Sequence, residues 1–178
     1  VDHWKNKLTY IQGDINSSSA LETLTRNCDI VFHLAGKVHS IPGTLQEEED
    51  FYNVNQIGTE NLLKAVRMNG INRLIFFSTV GVYGKDSNFH GSETSTCNPT
   101  TAYQKSKYAA EKLVLKSNIN NGPDVVVLRL PVVYGKLDRG NVALLIKAIY
   151  RKQFCYFGNQ TFKRSMISSS NAAEAALK

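Results

Sequence analysis

Residues 101–112 read TAYQKSKYAAEK and hold Tyr-x-x-x-Lys twice, as Tyr103/Lys107 and as Tyr108/Lys112. On a helix, residues four apart share a face, so each pair sets an ammonium beside a phenol. A free phenol loses its proton only near pH ~10. A neighbouring cation stabilises the phenolate and lowers that value, which makes either pair a candidate general acid/base. Position separates them. A step of five residues turns a helix by a net ~140°, so the pairs face different ways. Tyr103 stands in the first turn, just after Pro99, Thr100 and Thr101, at the end able to face a ligand. Ala109, Ala110, Leu113 and Val114 mark the packed side. That puts Tyr108 in the core or a helix–helix contact, with Lys112 reaching solvent. A hydroxyl must also hold a substrate oxygen near the base. Ser78 and Thr79, closing the apolar run RLIFFST, are placed for it. A lone Tyr-x-x-x-Lys arises by chance in a chain with eight tyrosines, so the surrounding pattern has to carry the assignment.

The elements that would position these groups alternate along the chain. LTYIQGDI (8–15) predicts a short strand and a turn, and SSSALETLTRN (17–27) a helix capped by serine. DIVFHLAG (29–36) is an apolar run of the kind found in a strand buried on both faces. Segment 44–69 has helical spacing, with Leu62, Leu63, Val66 and Met68 in its stripe and Gly70 as its stop. NRLIFFSTVGVYG (72–84) predicts a strand entering a glycine-rich loop, 100–118 a helix, and DVVVLRLPVVYG (124–135) one further strand. A helix at 141–151 and a short strand at 154–158 follow. This alternation predicts an α/β fold, a doubly wound parallel sheet covered on both faces. Ligands of such sheets bind beyond the carboxyl ends of the strands, which selects residues 13–15, 34–36, 78–79 and 130–131.

Composition excludes several functions. No apolar run approaches the ~18 residues of a membrane span, and the first residues contain no apolar signal core. Cys28, Cys97 and Cys155 are odd in number and far apart, which points to reduced thiols and a cytoplasmic setting. The net charge of +6 is spread without a basic run, so an anionic small ligand fits it and a nucleic-acid face does not. The four histidines show no metal spacing. His33, inside an apolar strand, is expected to be a core residue, and His39 a loop residue. The acidic run 46–50 fits the entry to a helix.

LIFFSTVGVYG, NPTTAYQKSKYAAEKL and VVVLRLPVVYG, in this order and spacing, resemble the extended short-chain dehydrogenase/reductase family, and within it the NAD-dependent nucleotide-sugar epimerase/dehydratase branch. The likeness runs from GDI at 13–15 to KRSMISSSNAAEA at 163–175. It implies a Rossmann-like domain over 1–135 and the start of a substrate-binding region over 136–178. Asp14 and Ile15 would contact adenine; Leu34, Ala35 and Gly36 would line the phosphate and ribose of the cofactor; Asn55 would hold the strand-end loops; Ser78 would lie beside the cofactor. Thr79, Tyr103 and Lys107 would be the catalytic set, with Lys107 also on the nicotinamide ribose and depressing the tyrosine pKa. Asn141 and Arg164 would meet the nucleotide diphosphate, and Cys155 and Phe157 its base. The cofactor would be NAD, with NADP left open. The activity would be that of a UDP-hexose 4-epimerase, with a C4-ketosugar reductase, a steroid or small-ketone reductase and a non-catalytic cofactor sensor as alternatives. The family's dehydratases carry Asp-Glu after the threonine; Val80 and Gly81 stand here, which sets dehydration aside. The family dimerises through two helices, which would be 44–69 and 100–118.

The same resemblance implies an opening strand, a G-x-x-G-x-x-G loop and another strand ahead of residue 1, and more substrate domain after residue 178. The expectation is an internal piece of a longer enzyme, inactive and a poor NAD binder by itself. In the strand order 3-2-1-4-5-6, the further strands would lie between LTYIQG and DIVFHL.

Overall fold

The computed structural model describes residues 7–38, 42–84, 91–119, 122–136, 140–155 and 164–178. Three strands, β1 (Ile30–His33), β2 (Arg73–Thr79) and β3 (Asp124–Leu130), form a parallel sheet in the order β1-β2-β3. The register sets His33 beside Phe76 and Thr79 beside Leu130, so the carboxyl ends of all three strands open on one side. Valine, isoleucine and phenylalanine fill these strands because their branched and aromatic side chains suit a pleated, packed surface.

Helices form where the apolar spacing and caps allow. Ser17 caps α1 (Ser18–Thr25) by accepting from the Ala20 amide at 3.4 Å. Thr44 caps α2 (Leu45–Tyr52), whose first turn carries Glu47 and Glu48. The predicted helix 44–69 continues through a π-helical segment (Asn53–Ile57) into α3 (Gly58–Met68). The long helix α4 covers Ala102–Ser117. Leu21, Leu62, Ala65, Val66 and Ile71 make one core cluster between α1 and α3. Leu74, Phe76, Ala110 and Val114 make a second between the sheet and α4. Val31 touches both clusters. Burying each of the leucine, valine, isoleucine and phenylalanine side chains among them stabilises by about 1.5–3 kcal/mol. Both clusters lie on the face of β1 that carries Val31 and His33. Ile30 and Phe32 point the other way and stay 47% and 40% exposed, so the covering expected on both faces is seen on one face of β1.

Two expectations change. Residues 8–13 have no strand pairing, and Leu8 and Tyr10 are exposed. The expected strand 124–135 is two, because Pro131 has no N–H to give a ladder. After it the chain leaves the first sheet, and β4 (Val132–Tyr134) pairs in parallel with β5 (Met166–Ser168). Between them lies α5 (Asn141–Tyr150), and α6 (Ser169–Leu177) follows β5, capped by Ser168. Neither β5 nor α6 is among the predicted elements. Of the predicted strand 154–158, residues 156–158 lie outside the described residues.

Candidate active site

The first turn of α4 is fixed before any ligand enters. Thr101 Oγ1 accepts from the Gln104 amide at 3.2 Å, and Gln104 Oε1 accepts from the Thr101 amide at 3.2 Å. This reciprocal cap satisfies two amides that the helix leaves unpaired. Tyr103 follows directly. Its phenol lies within the influence of the Thr79 hydroxyl, which favours the phenolate, and its ring meets Phe51 edge-on at 6.3 Å. Thr79 Oγ1 in turn accepts from the Gly81 amide at 3.1 Å, which begins a 3-10 turn (Val80–Tyr83) and holds the hydroxyl at the strand end.

One helical turn on, Lys107 is buried, with its amine 4.0 Å from the centroid of the Phe76 ring. Gly36 lies opposite. A Cβ there would stand 3.9 Å from Lys107 Nζ and 3.1 Å from Asn55 Oδ1, so the missing side chain leaves this strand end open. Thr79, Tyr103, Lys107, Asn55 and Gly36 therefore converge where β1 and β2 finish.

Burial moves the ionisable groups. Lys107 is pulled down to about 8 by loss of hydration, against the pull of the Glu111 carboxylate. Tyr103 is pushed up by burial, with the Thr79 hydroxyl opposing. The expected lowering of the phenol by Lys107 is not what this structure shows: removal of the phenolate from water dominates, and the opposing influence comes from Thr79. His33 falls to about 4 through burial and the nearby Lys107 charge. Its Nε2 pairs with Thr59 Oγ1 at 2.8 Å and its ring lies 5.2 Å from Phe76: it is the satisfied core histidine expected. Tyr108 is half-buried rather than core, and the exposed Lys112 lies 4.9 Å over its ring.

Asn55 ties the strand end to the helix. Buried in the π-helical segment, it accepts from the Lys37 amide at 2.7 Å and donates to Lys37 O at 3.2 Å and Ser106 Oγ at 2.9 Å. Ser106 Oγ donates on to Tyr103 O at 2.9 Å.

Asp14, Ile15, Leu34 and Ala35 line one cavity of about 200 Å³ together with Ile11 and Phe32. It separates residues 11–15 from the edge of β1 that pairs with no strand among the described residues. Ser78 is not brought to the phenol. Alternation along β2 turns its hydroxyl the other way, where it donates to Glu111 Oε2 at 2.8 Å. Asn141 begins α5, Arg164 precedes β5, and Cys155 follows α5; all three are exposed and none lines the cavity. Phe157 lies outside the described residues, as does His39.

Sequence reasoning missed Ser106, Lys37, Glu111 and Arg129. Lys37 bonds Asp50 Oδ2 at 2.7 Å. Glu111 is 1% exposed and takes a forked ion pair from Arg129, whose Nε reaches its two oxygens at 3.0 and 3.2 Å. A glutamate four positions after Lys107, on the face of Ala110 and Val114, was the available signal.

The family described as NAD dependent epimerase/dehydratase matches residues 2–178. The chain is 33% identical over 175 residues to the N-acetyl-alpha-D-glucosaminyl-diphospho-ditrans,octacis-undecaprenol 4-epimerase of Escherichia coli O157:H7, covering 97% of this chain and 51% of that protein. It is 32% identical to the UDP-glucose 4-epimerase of Vibrio cholerae, covering 98% and 55%. Among solved structures, UDP-N-acetylglucosamine 4-epimerase from Methanobrevibacter ruminantium M1, in complex with UDP-N-acetylmuramic acid, superposes with a TM-score of 0.82 at 27% identity, covering 96% of this chain and 56% of that one. The chain thus spans about half the length of the curated relatives it matches.

Proposed function

The chain belongs to the NAD dependent epimerase/dehydratase family, and from that premise we propose that it carries the proton-transfer half of a 4-epimerase acting on a hexose joined to a diphosphate. The observation that carries this reading is the convergence of Tyr103, Thr79 and the buried amine of Lys107 at the strand ends. Tyr103 takes the proton of the sugar hydroxyl and returns it; Thr79 holds the reacting oxygen against the phenol. NAD, when bound, supplies hydride removal and return at the sugar carbon. The fit to a dinucleotide rests on the cavity lined by Asp14, Ile15, Leu34 and Ala35 and on the open space at Gly36. Lys107 faces that space and adds positive charge where a phenolate forms. Arg164 and Asn141 are the proposed diphosphate contacts, and Cys155 and Phe157 the contacts to the base. NADP is the alternative cofactor.

The names of two relatives support the substrate class, since both describe 4-epimerases of a diphosphate-linked sugar. Exposed Leu45 on α2 and Leu115 on α4 support a homodimer through 44–69 and 100–118. Among the described residues, no helix is long and apolar enough to cross a membrane. The free, separated cysteines suit a cytoplasmic enzyme.

The test is turnover of UDP-hexoses by the intact protein. Tyr103→Phe should lower kcat by about 10²–10⁴, the range for losing a general acid/base. Turnover equal to the parent's would sink the mechanism. Epimerisation leaves NADH unchanged, whereas a ketoreductase consumes it. Arg164→Glu should weaken a diphosphate substrate and spare a neutral one.

A further inference from the structure

Beneath the reacting groups sits a charged cluster that the proton-transfer reading does not use. Glu111 is 1% exposed and ties its own helix, α4, to two strands, β2 and β3. It accepts from Ser78 on β2 at 2.8 Å and takes the Arg129 guanidinium from β3 through Nε and Nη2. Arg129 Nη1 donates to Tyr83 Oη at 2.6 Å in the 3-10 turn and to Glu93 O at 3.0 Å. Its guanidinium also lies 4.9 Å over the Tyr83 ring. Ser78 is the immediate neighbour of Thr79, and Glu111 shares its helix face with Lys107 one turn before it. The carboxylate therefore braces the backbone under Thr79 from a buried position one helical turn from Lys107.

Such a pair is an expensive way to hold a helix on a sheet. Desolvating two charges can exceed their mutual attraction, and apolar side chains of similar volume often serve as well or better. Its position explains its use. Lys107 is buried against Phe76, where an ammonium loses hydration. The groups facing it are neutral His33 from β1, Tyr103 from its own helix and Glu111. Around Glu111 stand Ser78, Arg129 and Tyr83, with Cys97 and Tyr108 beyond the guanidinium.

We propose that Glu111 and Arg129 are positioning residues for the active site: Glu111 keeps Lys107 as an ammonium and anchors the strand end under Thr79, while Arg129 limits the negative charge that Lys107 feels. This rests on the proposed role of Lys107 beside Tyr103. The direction of the Glu111 effect on the Lys107 amine agrees with it.

The experiment follows the side-chain nitrogen of Lys107 by NMR in the intact protein, from about pH 6 to 10, around the ordinary lysine range. The resonance is assigned by its loss in Lys107→Arg. In Glu111→Gln, Lys107 faces the unneutralised Arg129, and its midpoint should fall by about one unit. In Glu111→Gln/Arg129→Met both charges are gone, so part of that fall should be recovered. A purely structural pair predicts the opposite order, since the second substitution only adds damage. If Glu111→Gln does not fold, the double variant, which removes the guanidinium left unpaired by that substitution, decides by a midpoint below the parent's. Midpoints equal to the parent's, or a double variant at or below the single, overturn the proposal. The readout needs no turnover. Failure of the Tyr103→Phe test with shifted midpoints removes the epimerase reading alone, and unshifted midpoints with Tyr103-dependent turnover remove this inference alone.

Discussion

Replacing Asn55 by alanine should release the loop after β1 from the helix that carries Tyr103. Asn55 is 1% exposed and makes three hydrogen bonds, two to the Lys37 backbone and one to Ser106. Each contributes about 1 kcal/mol net, so alanine should cost about 3 kcal/mol. A domain has only about 5–15 kcal/mol in all. At about 2–4 °C per kcal/mol for a chain of this size, Tm should drop by about 6–12 °C. Asn55→Asp retains an acceptor for the Lys37 amide, loses both donors and sets a carboxylate against Lys37 O; it should not rescue. Thermal and urea unfolding followed by circular dichroism measure both variants. Hydrogen exchange should also quicken at residues 34–38, since Lys37 N loses its acceptor. An Asn55→Ala chain within about 1 kcal/mol of the parent, below the value of even one of these bonds, would show that the loop and helix do not depend on this side chain.

The buried His33 gives a pH-dependent term. Its folded pKa, about 4, lies below the unfolded value of 6.5, so the unfolded chain binds the extra proton between these values. The stability is fully present above pH 6.5 and is lost as pH falls toward 4. From pH 7 to 5 the loss should be about 2 kcal/mol, read as a falling urea midpoint that His33→Gln flattens; equal slopes in both would contradict it. Gly84→Ala should destabilise by about 2 kcal/mol or more. Gly84 has φ +100°, and an added Cβ would lie 2.6 Å from Asn98 O. An unchanged unfolding midpoint would mean that this turn relaxes freely.

The strands of the sheet were legible because DIVFHL, RLIFFST and DVVVLRL are apolar runs bounded by turn residues, and a buried parallel strand has little other composition available. The place of Tyr103 in the first turn of α4 was legible for a related reason. A helix start after Pro99 and Thr101 places one phenol in the first turn, and Thr101 and Gln104 do form the cap. Other elements depended on partners that local sequence does not name. LTYIQG alternates like a strand, yet strand pairing needs a neighbour, and a cavity separates these residues from β1. The widened turn at Asn53–Ile57 leaves no mark on a 3.6-residue period. Pro131 was visible, and the rule that it ends a ladder could have divided 124–135 correctly.

The largest omission was a matter of which face of α4 is buried. Ala109 and Leu113 were taken with Ala110 and Val114 as the packed side, since apolar residues ordinarily mark it. The buried positions are Ser106, Lys107, Ala110, Glu111 and Val114, a stripe of helical spacing that includes two charges and a hydroxyl. A helix packed only for stability would fill such a stripe with leucine, because each polar member must be given a partner. Here every polar member has one: Asn55 for Ser106, the Phe76 ring for Lys107, Arg129 and Ser78 for Glu111. Polar residues at apolar positions of a helix stripe, on the same face as a first-turn tyrosine, are where local packing rules give way to function. Read that way, the buried stripe that continues from Tyr103 through Lys107 and Glu111 supports the proposed site at the first Tyr-x-x-x-Lys pair, beside the argument from the strand end.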